Sequence, residues 1–246
     1  MTGERGDERG QPQWLITHAT LAVAAGRLTE VERFYCDGLG ISGKSRAEEL
    51  RLDIGPAHLT FVAANRSEPF YHFALLVPGN RFEAARDWLA GVSPLLAHPE
   101  TGATTFDFDF WDARACYTHD PAANIVELIA HRGLEDSTEA GEFRATELRG
   151  ISEVGLVADD LLTAVERLRA RGLELWYGEV DRSEGLGFVG RKAHTLILAP
   201  TDRPWLPTGR RAETHPVDVA LARTGHPDLV ARLRGGSVEV AEPKDG

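Results

Sequence analysis

Only two cysteines occur in the 246 residues, Cys36 and Cys116, and no metal-like spacing links them. A disulfide framework is therefore excluded, and both are expected to be reduced, packed thiols. Basic residues are outnumbered: 27 Lys and Arg stand against 38 Asp and Glu, a net charge of −11 at pH 7. That balance argues against a nucleic-acid or anionic-membrane binder and favours a small-molecule or protein partner, of which a small-molecule substrate is expected. No apolar run reaches the roughly 18 residues of a membrane span. The opening MTGERGDERGQPQ has no signal-peptide core, so a cytoplasmic protein is expected. The sequence shows no Ser-His-Asp or Cys-His arrangement. The glycine-rich GLGFVG at 185–190 lacks the strand-to-helix context of a nucleotide loop.

What is present is a chain able to bury a core, with 42% hydrophobic and 26% charged residues. Residues 1–13 read as a disordered arm. LITHATLAVA then alternates as a strand, RLTEVERFYCDGLGI has helical spacing, and two strands flank the Gly55-Pro56 turn. The same order restarts with FYHFALLVP and NRFEAARDWLAG, where Asn80 is a candidate N-cap and Gly91 a stop. A third round begins at GISEVGLVADD. The expected layout is a first module over 14–66, a second over 67–133, a linker over 134–150 and a third over 151–208. A C-terminal helical segment and tail over 209–246 completes it. Repeats of this length can be units that pair to complete a shared core. An odd number of modules leaves the third without a partner in the chain, to pair with its copy in a homodimer, the expected arrangement, or to cover an edge of the main sheet.

One residue is out of place in this pattern. Glu127 interrupts the apolar run Ile125-Val126-Glu127-Leu128-Ile129, and a buried carboxylate is costly unless something pairs with it. No Lys or Arg adjoins it in its strand. His18 and His72 each punctuate the opening strand of a round, 54 positions apart, and Glu127 follows 55 later. Two imidazoles and a carboxylate form a ligand set for a first-row metal with open positions for substrate. Two half-buried histidines and a rim glutamate would read the same way.

The segments THATLAVA…RFYCDGLGI and YTHDPAANIVELI resemble the opening and closing elements of the vicinal oxygen chelate superfamily. The resemblance spans residues 14–132 and, more loosely, 151–206. It implies an α+β fold of repeated βαβββ modules, two of which pair into a cupped mixed sheet around a divalent metal, with a third module beside them. It also implies that His18, His72 and Glu127 are the ligands, with the first two modules forming the cup. The ligand pattern is most similar to extradiol ring-cleaving dioxygenases acting on a small aromatic diol. This implies Fe(II), with Mn(II), Zn(II), Ni(II) or Co(II) as further candidates, and a substrate-contacting tyrosine at Tyr117. Where that pattern carries an acid–base histidine the chain has Phe108, Asp109 and Phe110, which leaves Asp109 as the substitute. Glyoxalase-like lyases or isomerases use a fourth ligand, at the position of Thr60 or near it at His58. Non-catalytic bleomycin-resistance-like binding is the third alternative. In the third round Glu153 stands where the earlier rounds carry histidine. It and His194 are expected to be structural or rim residues.

Overall fold

The computed structural model describes residues 14–65, 67–180 and 185–243; the expected N-terminal arm lies outside them. The first module runs β1 (Leu15–Ala24), helix α1 (Leu28–Glu32) with a wider turn over Arg33–Gly38, β2 (Gly43–Arg46), β3 (Glu49–Ile54) and β4 (Ala57–Ala64). The second runs β5 (His72–Leu76), α2 (Phe82–Ala90), β6 (Phe106–Phe108), β7 (Ala113–His119) and β8 (Ile125–His131). The third runs β9 (Gly150–Ala158), α3 (Leu161–Arg169), β10 (Leu175–Gly178), β11 (Gly187–Arg191) and β12 (His194–Pro200). Each is a βαβββ unit, so the α+β class of repeated modules holds.

The helices follow their apolar spacing. Helix α2 buries Phe82, Ala85 and Leu89 on one stripe. Helix α3 buries Leu161, Ala164, Val165 and Leu168, and Asp160 caps it by accepting a 3.0 Å bond from the Thr163 amide. Asn80 is not the cap of α2. Its side chain instead bonds Ser137 in both directions, at 2.8 and 2.9 Å, and so holds the linker to the second module.

Pairing among the modules differs from expectation in two ways. The stretch expected to be helical forms three strands, β13 (Val217–Ala222), β14 (Leu229–Arg234) and β15 (Ser237–Ala241). Its buried residues alternate with a period of two, Val217, Val219 and Leu221, then Leu229, Ala231 and Leu233, which is the strand period. These strands complete a seven-stranded sheet with the first module, ordered β15-β14-β13-β1-β4-β3-β2. The second module pairs with the third, in an eight-stranded sheet ordered β10-β11-β12-β9-β5-β8-β7-β6. The third module thus has its partner within the chain, which removes the reason for expecting a homodimer. The first and second modules do not share a sheet.

One large core, spanning both sheets and all three helices, includes Phe73, Val126, Leu128, Val154 and Leu196. Alternate residues of the eight-stranded sheet point the other way, into a second apolar cluster with Ala74, Ile125, Ile129 and Ile197. Both faces of β8 and β9 are therefore buried, which explains their near-continuous apolar text. The second face is concave and carries the site. No helix among the described residues is long and apolar enough to cross a membrane.

Candidate metal centre

Parallel pairing of β5 with β8 sets Ala74 opposite Glu127, so Glu127 shares the concave face with His72, two residues before Ala74. Antiparallel pairing of β5 with β9 sets Ala74 opposite Glu153 as well. A bulge leaves Ser152 unpaired as the register moves from Glu153 to Ile151. His72, Glu127 and Glu153 thereby converge, each offering a ligand atom within 4.8 Å of the other two. All three are buried, at 5%, 2% and 2% exposure. His72 Nε2 lies 3.3 Å from Glu127 Oε2.

Charge is costly here. Burial pushes the Glu127 carboxyl up to about 8. Burial, then the charge of Glu127, pushes Glu153 up to about 8. Burial lowers His72 to about 4. The 3.3 Å contact is therefore no ion pair at neutral pH, since the imidazole is neutral and the carboxyl largely protonated. A divalent cation fits this set. Two carboxylates would match its charge, and bonds near 2.1 Å place adjacent ligands about 3 Å apart, close to the observed contact.

Modules two and three are related by a pseudo-twofold between β5 and β9, and their ligand positions correspond. His72 in β5 matches Glu153 in β9. Two residues further along, Ala74 faces Glu127 on β8, and Gly155 faces Ile197 on β12. Opposite these stand Tyr117 on β7 and Phe188 on β11. The centre is thus polar on one half, with Tyr117 and Glu127, and apolar on the other, with Phe188 and Ile197. Tyr117 is buried, and its hydroxyl hydrogen-bonds Glu127; burial, then the charge of Glu127, raises its pKa well above the usual value.

The cavity above these residues measures about 450 Å³, and Phe108, Phe110, Trp111, Tyr177, Phe188 and Trp205 supply its walls. Trp205 reaches the floor, its ring 5.0 Å from that of His72. Gly155 permits this approach, because a Cβ there would meet the Trp205 ring at 3.2 Å and the His72 carbonyl oxygen at 3.1 Å.

Of the residues singled out in the sequence, His72, Glu127 and Tyr117 come together; His18 and Asp109 do not. His18 lies on the other sheet, where the corresponding positions are held by Thr60 and Asp218, both opposite Thr20. His18 Nε2 meets Thr60 Oγ1 at 2.7 Å, and Asp218 is paired with Arg234 at 2.7 Å. A neutral hydroxyl and a neutralised carboxylate leave no anionic set for a metal there. His58 bonds Asp53 at 3.0 Å rather than turning inward. Asp109 is exposed on a short turn and does not line the cavity, although its neighbours Phe108 and Phe110 do. The residue that sequence reasoning undervalued is Glu153. The available signal was its place in GISEVGL, at the position of the earlier histidines. His194 has a different task, its Nδ1 accepting the Ile16 amide at 3.3 Å and so tying the two sheets together.

No protein-family model matches the sequence, and no curated protein matches it significantly. Solved structures do match. A candidate dioxygenase from Bacillus subtilis superposes with a TM-score of 0.57 at 15% identity, over 94% of this chain and 85% of its own. A glyoxalase I variant from Zea mays superposes with a TM-score of 0.50 at 15% identity, over 93% of each chain. The chain has the vicinal oxygen chelate fold. At this identity the likeness is one of fold, and the chemistry has to be read from the site itself.

Proposed function

We propose that this chain is a divalent-metal enzyme acting on a small aromatic substrate with two adjacent oxygens, by proton transfer of the lyase or isomerase kind. The observation that carries this reading is the convergence of His72, Glu127 and Glu153 at the floor of an aromatic-walled cavity. These three residues would hold the cation, which when bound supplies Lewis acidity to two substrate oxygens. Tyr117, whose hydroxyl proton is given to Glu127, would accept a hydrogen bond from the nearer of them where that oxygen is a hydroxyl. Among the described lining residues, Glu179 is the carboxylate outside the ligand set. At the exposed mouth it would carry the proton to and from solvent. The ring walls would exclude water and orient the substrate.

Ring cleavage of an aromatic diol is the second reading, favoured by the aromatic walls and by Tyr117. Two observations count against it: Asp109 stands outside the cavity, and a carboxylate replaces the second imidazole. The test is metal analysis of protein purified without chelators, then a panel of catechols and aryl hydroxy-carbonyl compounds with oxygen uptake recorded. We expect about one metal per chain and turnover that persists anaerobically. Turnover that stops without O₂ would establish ring cleavage. Ligand binding with no stoichiometric metal would establish a binding protein and overturn both enzyme readings.

A further inference from the structure

The pseudo-twofold that builds the centre is broken in chemistry, and the break has a direction. On the second module's half Tyr117 faces Glu127; on the third module's half Phe188 faces Ile197. Beyond Phe188 the apolar wall continues outward. Trp111 packs edge-on against Phe188 with ring centres 4.4 Å apart, and Tyr177 lies 5.7 Å from Phe188. At the mouth, Phe110 from the second module stacks on Tyr177 from the third, 5.1 Å apart and 14° from parallel. These two rings are 61% and 41% exposed. Stacked on each other, the two rings still leave much of their apolar surface in water at the cavity rim, where an apolar ligand could cover it. The cavity is also larger than one ring requires: a cavity of about 150 Å³ accepts benzene, against about 450 Å³ here.

We infer that the substrate carries two fused or linked rings and lies in one orientation across the pseudo-twofold. Its two oxygens face Tyr117 and Glu127, its first ring rests on Ile197 and Phe188, and its second ring reaches the Phe110–Tyr177 lip. Phe110 and Tyr177 are then the residues that select two-ring over one-ring substrates. The placement of the oxygens rests on the metal reading proposed above; the selection by the lip does not.

The test is calorimetric titration of the full chain, loaded with redox-inert zinc, with catechol and with 2,3-dihydroxynaphthalene. The wild type should bind the two-ring diol about 10-fold more tightly, from the extra apolar area buried. Phe110→Ala and Tyr177→Ala should each weaken the two-ring diol by about 3- to 10-fold, the range of one aromatic pair. Catechol should change by less than about 2-fold, and Tyr177→Phe should preserve the wild-type ratio. Both positions are exposed, so the variants should fold, and circular dichroism checks this. Equal affinities in the wild type, equal losses for both diols, or no binding of either would overturn the inference. Zinc content separates the two readings. If the chain takes up no zinc, the metal reading fails, and the same ratios are read on the metal-free chain by tryptophan fluorescence. Loss of selectivity in Phe110→Ala there sustains the lip, and unchanged selectivity overturns it.

Discussion

Glu127 and Ile197 occupy one position in two copies of the same module: each lies on the last strand, two residues beyond the partner of the ligand position on the first. One copy carries a buried carboxylate and the other a buried alkyl group. The cup therefore gathers three side chains able to ligate a cation where full symmetry would allow four.

Metal content should follow the ligand set that the second sheet assembles. Glu127→Gln and Glu153→Gln should each lose stoichiometric metal, whereas His18→Ala should retain it. The measurement is elemental analysis after dialysis against a trace of free metal. Metal loss in His18→Ala, with retention in Glu153→Gln, would refute the centre as described.

The metal-free protein should lose stability as pH rises from about 6.5 to 8. Glu127 and Glu153 have folded values near 8 against ordinary values of 4.5, so in this interval the folded state keeps protons that the unfolded state has released. His72, at about 4 against 6.5, acts in the opposite sense, but only below 6.5. Melting temperature should fall by several degrees across the upper window. Saturating metal should flatten the profile, because binding strengthens as its ligands lose their protons. Glu153→Gln should raise the metal-free melting temperature at pH 8. A flat metal-free profile would show that the two carboxylates are not buried as a pair.

Tyr117→Phe should leave the fold and the metal stoichiometry intact but move the pH midpoint of metal binding upward. The Tyr117 hydroxyl hydrogen-bonds the Glu127 carboxylate and lowers its pKa, so its removal makes that carboxylate harder to ionise. Metal titrations between pH 5.5 and 8.5, chosen to span about 8, would reveal the shift. A midpoint that stays in place would assign Tyr117 to packing alone.

Ala123→Gly should stabilise the protein slightly. Ala123 has φ near 60° in the turn before β8, a left-handed geometry that costs a Cβ-bearing residue about 1–2 kcal/mol. Glycine's greater unfolded-state entropy takes back about 0.5–1 kcal/mol. A net gain of about 0.5 kcal/mol in urea unfolding is expected. The turn itself is held by Asp120, which accepts from the amides of Ala122 and Asn124 and from the side chains of Asn124 and Tyr35. Asp120→Ala should therefore cost about 2–4 kcal/mol and disturb the placement of Glu127. Equal stability of Ala123→Gly and wild type would show that the strain is absorbed elsewhere.

By itself the sequence determined what local pattern can carry. Two-residue alternation placed His72 and Glu127 each on one face of its strand, and the third appearance of strand, helix and strands gave the modules their order. Tyr117 was legible only through the resemblance of YTHDPAANIVELI to the closing element of the extradiol dioxygenases. Only tertiary structure decided which modules share a sheet. Strand pairing between β5 and β9 joins edges some 80 residues apart by backbone hydrogen bonds that any side chains can flank. That choice brings Glu153, and not His18, beside His72 and Glu127. It also places β13 beside β1 of the first module, so that a stretch expected to be helical is a strand. A ligand set assembled from three strands is a property of their pairing, and the pairing is fixed by burying both faces of the second sheet.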